Sequence, residues 1–265
     1  MRHLQSLLKQ ITPKKYHTQL IDLYIKYKHF GFKFKCPFCG GHFRKLLPAG
    51  LDLQILKEKK VVGGGYRSNG HCPHCYSSDR ERLIYLYLEN KTNLFYENLK
   101  ILHVAPEKNL QKFFMTLANI DYISADLDSP LAMVNMDITK IQYENNYFDI
   151  IICNHVLEHI PNDRQAMSEL YRVLKPGGWS ILQVPISLSL DRTYEDPTVT
   201  ASDEREKKFG QSDHVRIYAK DYKDRLESVG FTVEVYSFGK ELGDSTMHKY
   251  ALLKDEDIYL ASKSR

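Results

Sequence analysis

The chain has 265 residues, 43% hydrophobic and 26% charged, with a formal net charge of +4. These values exclude a disordered tail, a fibrous repeat and a disulfide-stapled miniprotein, and no apolar run reaches the ~18–20 residues that a membrane-spanning helix needs. The charge is uneven: residues 1–75 carry 14 Lys and Arg against 3 Asp and Glu, a net of +11, and the remainder is acidic at −7.

A basic front on an acidic body suits an anionic partner such as nucleic acid, anionic lipid or a phosphorylated substrate; the alternative is a solvated basic surface without one. The opening MRHLQSLLKQ lacks the apolar core of a secretory leader, so the expected compartment is the cytoplasm. Residues 1–35 read as a basic amphipathic helical arm. Leu4, Leu7, Leu8 and Ile11, then Leu20, Ile21, Leu23, Tyr24 and Tyr27, recur at helical spacing, and Pro13 divides two helices. The expected role of that apolar stripe is packing against the protein itself, with a membrane surface as the alternative.

Residues 36–76 change texture to Gly, Cys, Lys and aromatic residues, which predicts short strands and turns. Cys36-Pro-Phe-Cys39 and Cys72-Pro-His-Cys75 are two matched pairs with 32 residues between them. Each pair sets two thiolates on one tight turn, and four sulfurs suit tetrahedral zinc in a zinc-ribbon-like module, with iron as the alternative. Four sulfur ligands leave no open position, so the ion is expected to be structural. His42, His71 and His74 read as surface residues, and Cys153, alone in an apolar stretch, as a small buried hydrophobe.

Residues 77–265 alternate helices and strands. Ser77 or Ser78 caps a helix through RERLIYLYLEN, with Asp79 and Glu81 in its first turn. Strands are predicted over Ile101–Ala105, Tyr122–Ala125, Phe148–Cys153, Trp179–Val184, Thr232–Phe238 and Ile258–Ser262. Helices are predicted over Lys108–Ala118, Asp163–Leu174 and Ala219–Val229, and Pro176-Gly177-Gly178 as a stop and turn. This order predicts an α/β fold, a parallel sheet covered on both faces. No convincing helix separates the last two strands, which are expected to pair antiparallel at one edge.

In such a sheet ligands bind at the carboxyl ends of the strands. The first strand ends at His103, Ala105, Pro106 and Glu107, and the second at Asp126 and Leu127. Asp126 is placed to hold a ribose, Asp137 and Ile138 to border an adenine, and Asn154 and His155 form the polar exit of the strand Phe148–Cys153.

The segments FDIIICNHVLEHI and YRVLKPGGWSILQVPI resemble class I S-adenosylmethionine (SAM)-dependent methyltransferases of the type 11 group, over roughly residues 100–265. The resemblance implies a Rossmann-like seven-stranded, mostly parallel sheet with a reversed edge strand, and SAM as cofactor. Ser77, Asp79, Arg80 and Arg82, then HVAPE and GQSDHVRIY, resemble a zinc-ribbon-bearing subfamily associated with bacterial surface polysaccharides. That implies a small-molecule or glycan acceptor. One departure stands out: where the family carries a Gly-rich turn, this chain reads LHVAPEKNL, so Ala105 and Pro106 must make the turn.

Methyl transfer to a hydroxyl needs alignment and a base. His214 and His159 are the candidates, with Arg216 holding an anionic group of the acceptor; Arg80 and Arg82 are placed to reach the same site. The polar segment from Ser187 to Gly210 reads as a substrate loop. Two other readings stand beside this one: an RNA methyltransferase docking through the basic ribbon, and a non-catalytic binding module of the same fold. A dinucleotide-dependent oxidoreductase fits worse, because the Gly-rich fingerprint is missing.

Overall fold

A computed structural model of the protein describes residues 14–265. The expected helix over Leu4–Ile11 and the break at Pro13 lie outside the described residues. The front part runs helix α1 (Lys14–His29), strands β1 (Phe30–Lys35), β2 (His42–Phe43) and β3 (Leu47–Ala49), helix α2 (Gln54–Glu58), and strands β4 (Val61–Val62) and β5 (Arg67–His71). Then come helix α3 (Asp79–Lys91), β6 (Leu99–Val104), α4 (Lys108–Phe114), β7 (Ile120–Asp126), β8 (Val134–Asn135) and β9 (Phe148–Asn154). A 3-10 turn (Leu157–His159), α5 (Asp163–Val173), β10 (Leu174–Gln183), β11 (Ile186–Ser187), β12 (Tyr194–Glu195) and α6 (Ser202–Phe209) follow. The chain closes with β13 (Arg216–Ile217), α7 (Tyr222–Glu227), β14 (Thr232–Tyr236), α8 (Phe238–Tyr250) and β15 (Ile258–Ser262).

Seven strands form the central sheet in the order β14-β15-β10-β9-β6-β7-β8. The β10/β9, β9/β6, β6/β7 and β7/β8 pairs are parallel. Strand β15 is antiparallel to both β10 and β14, so the reversed strand lies one place in from the edge. Alternation explains why the sheet is buried on both faces. In β9, Ile151 and Cys153 join the core beneath α5 and α7. Ile150 and Ile152 join the core beneath α3, α4 and α8. Cys153 is fully buried, as its apolar setting predicts.

Local sequence sets several ends. Ser78 caps α3: its side chain accepts from the amide of Glu81, whose carboxylate accepts from the amide of Ser78. Pro176-Gly177-Gly178 lies inside an irregular start of β10 rather than at a helix stop. There the Gly177 amide donates to Lys263 O (2.8 Å), pinning the end of the reversed strand.

Two expectations are corrected. A helix, α8, does separate the last two strands. Its sequence FGKELGDSTMHKY has two glycines and no apolar period, and Gly243 (φ 77°) breaks its helical backbone. Burial of Phe238 and Met247 and contact with β1 and α3 hold it, not propensity. The stripe of the N-terminal arm is not wholly packed: Leu23 is 64% and Tyr27 82% exposed.

The ribbon segment is knitted to the sheet domain. Phe38 packs on Tyr85 of α3 at 4.6 Å and Phe34 on His248 of α8 at 5.4 Å. Strand β4 pairs with β11, just beyond the carboxyl end of β10. Arg82, fully buried, donates to the carbonyls of Ser77, Tyr250 and Ala251. It therefore ties α3 to α8 and, being fully buried, presents no donor at the surface. Among the described residues, no helix is long and apolar enough to cross a membrane.

Candidate active site and metal centre

The carboxyl ends of β6, β7 and β9 bring together most of the residues expected at the ligand edge. Ala105, the residue after β6, has φ 47°, and its amide donates to Ala125 O at 2.8 Å. The left-handed turn normally given to glycine is therefore made here by alanine. Glu107, at the N-terminal boundary of α4, receives two side-chain hydrogen bonds. His103 Nε2 stands 2.6 Å from its Oε2, and Asn154 Nδ2 donates to its Oε1 at 3.0 Å. An ionised carboxylate only accepts, so Nε2 carries the proton, and His103 Nδ1 faces the Tyr122 hydroxyl at 3.0 Å. Burial pushes the Glu107 carboxyl up, but its hydrogen bond and charge interaction with His103 outweigh this and hold it below the usual carboxylate range.

His103 itself is fully buried, with its ring edge-on to Phe114. It does not border the ligand edge directly, as the sequence suggested, but orients Glu107. Ile138 is likewise a core residue. Leu127 is exposed, and Pro106 is half-buried beside Ala105. Asp126 Oδ1 accepts the amides of Asp128 and Ser129, and Asp137 Oδ1 accepts the amide and hydroxyl of Thr139. Both acids stand at the expected strand ends, and each also closes a turn. Asn154 Oδ1 is buried without a hydrogen-bond partner.

His155 (φ 55°) follows Asn154. Its Nδ1 lies 2.9 Å from Arg80 Nη1 and 3.3 Å from Glu158 Oε1, and its Nε2 is buried and unpartnered. Arg80 can only donate, so Nδ1 accepts and the proton sits on Nε2. Burial, then the charge of Arg80, hold this imidazole well below its ordinary pKa. Arg80 also donates to Gly63 O (3.3 Å), which brings the glycine loop of the front part over the edge. Gly63 has φ 81°, and a Cβ there would stand 3.3 Å from Glu256 Oε2. Glu256 is buried, with that oxygen unpartnered and its pKa pushed up to about 7 by burial. Sequence reasoning missed Gly63 and Glu256, because their proximity depends on the loop's placement in space.

The expected catalytic set divides. His159 and His214 meet edge-on at 4.6 Å. His159 is 30% exposed and its Nδ1 lies 3.2 Å from Asp213 Oδ2. His214 is buried, and burial, then His159, lower its pKa to about 4, which makes it a weak base at neutral pH. Arg216 does not face an acceptor. It is buried, pairs with Glu195 at 2.9 Å and donates to the carbonyls of Leu157, Ile160 and Pro161. Five donors in a planar fork match a cluster of carbonyls and a carboxylate, so the residue anchors the turn that carries Glu158 and His159. The segment from Ser187 to Gly210 is held by the β12/β13 pair and by Glu195, which also binds Arg225.

The four paired cysteines converge. Cys36 Sγ is 3.5 Å from Cys75 Sγ, Cys39 Sγ is 3.7 Å from Cys72 Sγ, and all four lie within 4.8 Å of one another. A disulfide would need about 2.05 Å. Four sulfurs at ~2.3 Å from a tetrahedral ion stand roughly 3.8 Å apart, so the donor set suits zinc. Ser77 Oγ, 3.2 Å from Cys36 Sγ, supports the cluster from outside.

Residues 105–182 match a family model described as "Methyltransferase domain" (Methyltransf_11). The match opens at the left-handed Ala105 and closes within β10. The chain is 38% identical over 52 residues to the sterol 24-C-methyltransferase of Kluyveromyces lactis, covering 20% of this chain and 14% of that protein. It is 31% identical over 52 residues to the ubiquinone/menaquinone biosynthesis C-methyltransferase UbiE of Coxiella burnetii, covering 20% and 21%. These matches thus span about a fifth or less of the relatives' length. Among solved structures, a SAM-dependent methyltransferase from Archaeoglobus fulgidus aligns at TM-score 0.44 and 15% identity, covering 71% of this chain and 95% of that one.

Proposed function

We propose that the protein is a SAM-dependent methyltransferase whose acceptor is a small molecule bound between the carboxyl edge of the sheet and the glycine loop of the front part. The observation that carries this is the Glu107 carboxylate, held below its ordinary pKa beside the left-handed turn at Ala105, next to the unpartnered Asn154 Oδ1. Two acceptor groups at that point suit the ammonium of the cofactor's methionine part. Asp126 would take the ribose hydroxyls, and Asp137 the adenine side. SAM, when bound, supplies an electrophilic methyl on a sulfonium. The protein's share is to align and desolvate the acceptor. His155, with its proton fixed on Nε2 by Arg80, offers a donor on the acceptor side. The similar proteins, a sterol 24-C-methyltransferase and a ubiquinone/menaquinone biosynthesis C-methyltransferase, support a small-molecule acceptor. The cysteine cluster would hold a structural zinc that fixes the front part against the edge.

Calorimetric titration with S-adenosylhomocysteine tests the reading. Binding that Glu107→Gln weakens at least tenfold is expected. Absence of binding to the folded, metal-loaded protein would overturn it in favour of a non-catalytic module.

One observation favours RNA as the acceptor instead. Tyr27, Phe30 and Phe32 are exposed beside Lys28 and Lys33 in the strongly basic front part. Aromatic faces among cations suit stacked bases and phosphates. Steep loss of RNA binding with rising salt supports this second reading, and no retention of RNA at low salt removes it.

A further inference from the structure

We propose that Glu158, His159 and His214 bind a divalent first-row transition-metal ion, separate from the one suited to the cysteines. Each offers one ligand atom, and these atoms lie within 4.8 Å of one another. Glu158 is 1% and His214 5% exposed, and Glu158 Oε2 and His214 Nε2 are buried without any hydrogen-bond partner. Leaving such a group unsatisfied forfeits its solvation with nothing in return. Two orphaned atoms in one small cluster therefore need a common explanation. Both are electron-pair donors, so a cation satisfies them together.

The surroundings have the form of an outer shell. Asp213 lies 3.2 Å from His159 Nδ1. A carboxylate partner of this kind fixes the orientation of a metal-binding imidazole. Arg216 holds the carbonyls of Leu157 and Ile160, on either side of Glu158 and His159. The ion would sit on a braced turn rather than a loose loop. Two nitrogens and one oxygen suit zinc, iron(II), cobalt or manganese better than calcium. Bonds of about 2.1 Å place ligand atoms roughly 3–3.5 Å apart, so side-chain rotations that close the cluster slightly complete the site. Unlike four cysteines, three ligands leave positions open, and the partly exposed His159 marks the way in. That these positions face the methyl acceptor rests on the methyltransferase reading; that the ion binds does not.

The test is metal stoichiometry on the full chain, stripped with chelator and reloaded with cobalt(II). The wild type is expected to hold two equivalents, one with thiolate-to-cobalt charge transfer and one without. Glu158→Gln and His214→Ala should each lose the second equivalent and keep the thiolate band, while Cys36→Ser should lose the thiolate band and keep the other. If a buried variant fails to fold, His159→Asn, at a half-exposed position, should weaken the second ion at least tenfold. A single equivalent in the wild type, or two equivalents retained in all three cluster variants, would overturn the proposal. Binding of S-adenosylhomocysteine, measured separately, reports on the methyltransferase reading alone.

Discussion

His103 and Glu107 stand four residues apart across the turn after β6, with Nε2 and Oε2 at 2.6 Å. The histidine is buried in the core and the carboxylate reaches the edge, so a core residue sets the charge and direction of an edge residue. His103→Leu is expected to weaken S-adenosylhomocysteine binding in the same direction as Glu107→Gln, and the double variant to do little more than either alone. A double-mutant cycle by calorimetry checks this, with a coupling of about 1–3 kcal/mol expected for a charge-assisted hydrogen bond.

Ala105 holds a left-handed backbone that glycine adopts without strain. Ala105→Gly should raise stability by about 1 kcal/mol and leave cofactor affinity unchanged. Ala105→Val should lower stability, since a β-branched side chain tolerates positive φ poorly. Urea denaturation of the three proteins measures the order.

Arg216 was expected to hold an acceptor and is instead buried among carbonyls and Glu195. Arg216→Ala should cost about 3–5 kcal/mol of stability, because it strands the groups it pairs. Arg216→Lys should recover only part of that, since an ammonium cannot reproduce the planar fork. An acceptor-anchoring role would predict the opposite: near-normal stability with a raised KM.

Glu256 gives a pH dependence of definite sign. Its folded pKa of about 7 lies above the ordinary 4.5, so the folded state holds the proton more tightly. Its contribution is fully present below pH ~4.5 and is lost as pH rises through 7, about 3 kcal/mol in all. Glu256→Gln should therefore be more stable than wild type at pH 8, with the difference vanishing near pH 4. Denaturant melts at the two pH values decide it.

The paired cysteines predict coupled loss of metal and fold. Cys36→Ser, or chelation of the wild type, should lower the melting temperature, with the wild type recovering on added zinc and the variant not. An unchanged melting temperature after metal removal would show that the aromatic contacts Phe38–Tyr85 and Phe34–His248 hold the front part by themselves.

The sequence by itself determined what local pattern and spacing control. The continuous apolar run of β9, the Ser78 cap and the two Cys-x-x-Cys turns each act over a few residues, and each forms as its pattern dictates. The positions of Glu107, just past β6, and of Asp126, at the end of β7, were legible for the same reason. Tertiary structure decided which polar side chains face the edge and which serve the interior. His103, Arg82 and Arg216 have the composition of site residues, yet partners 4 to 169 positions away bury them. The glycine loop over Arg80 and the glycine-broken helix α8 also lay beyond local reading. Both exist through contacts with distant elements, and a short stretch of sequence does not encode what it will pack against.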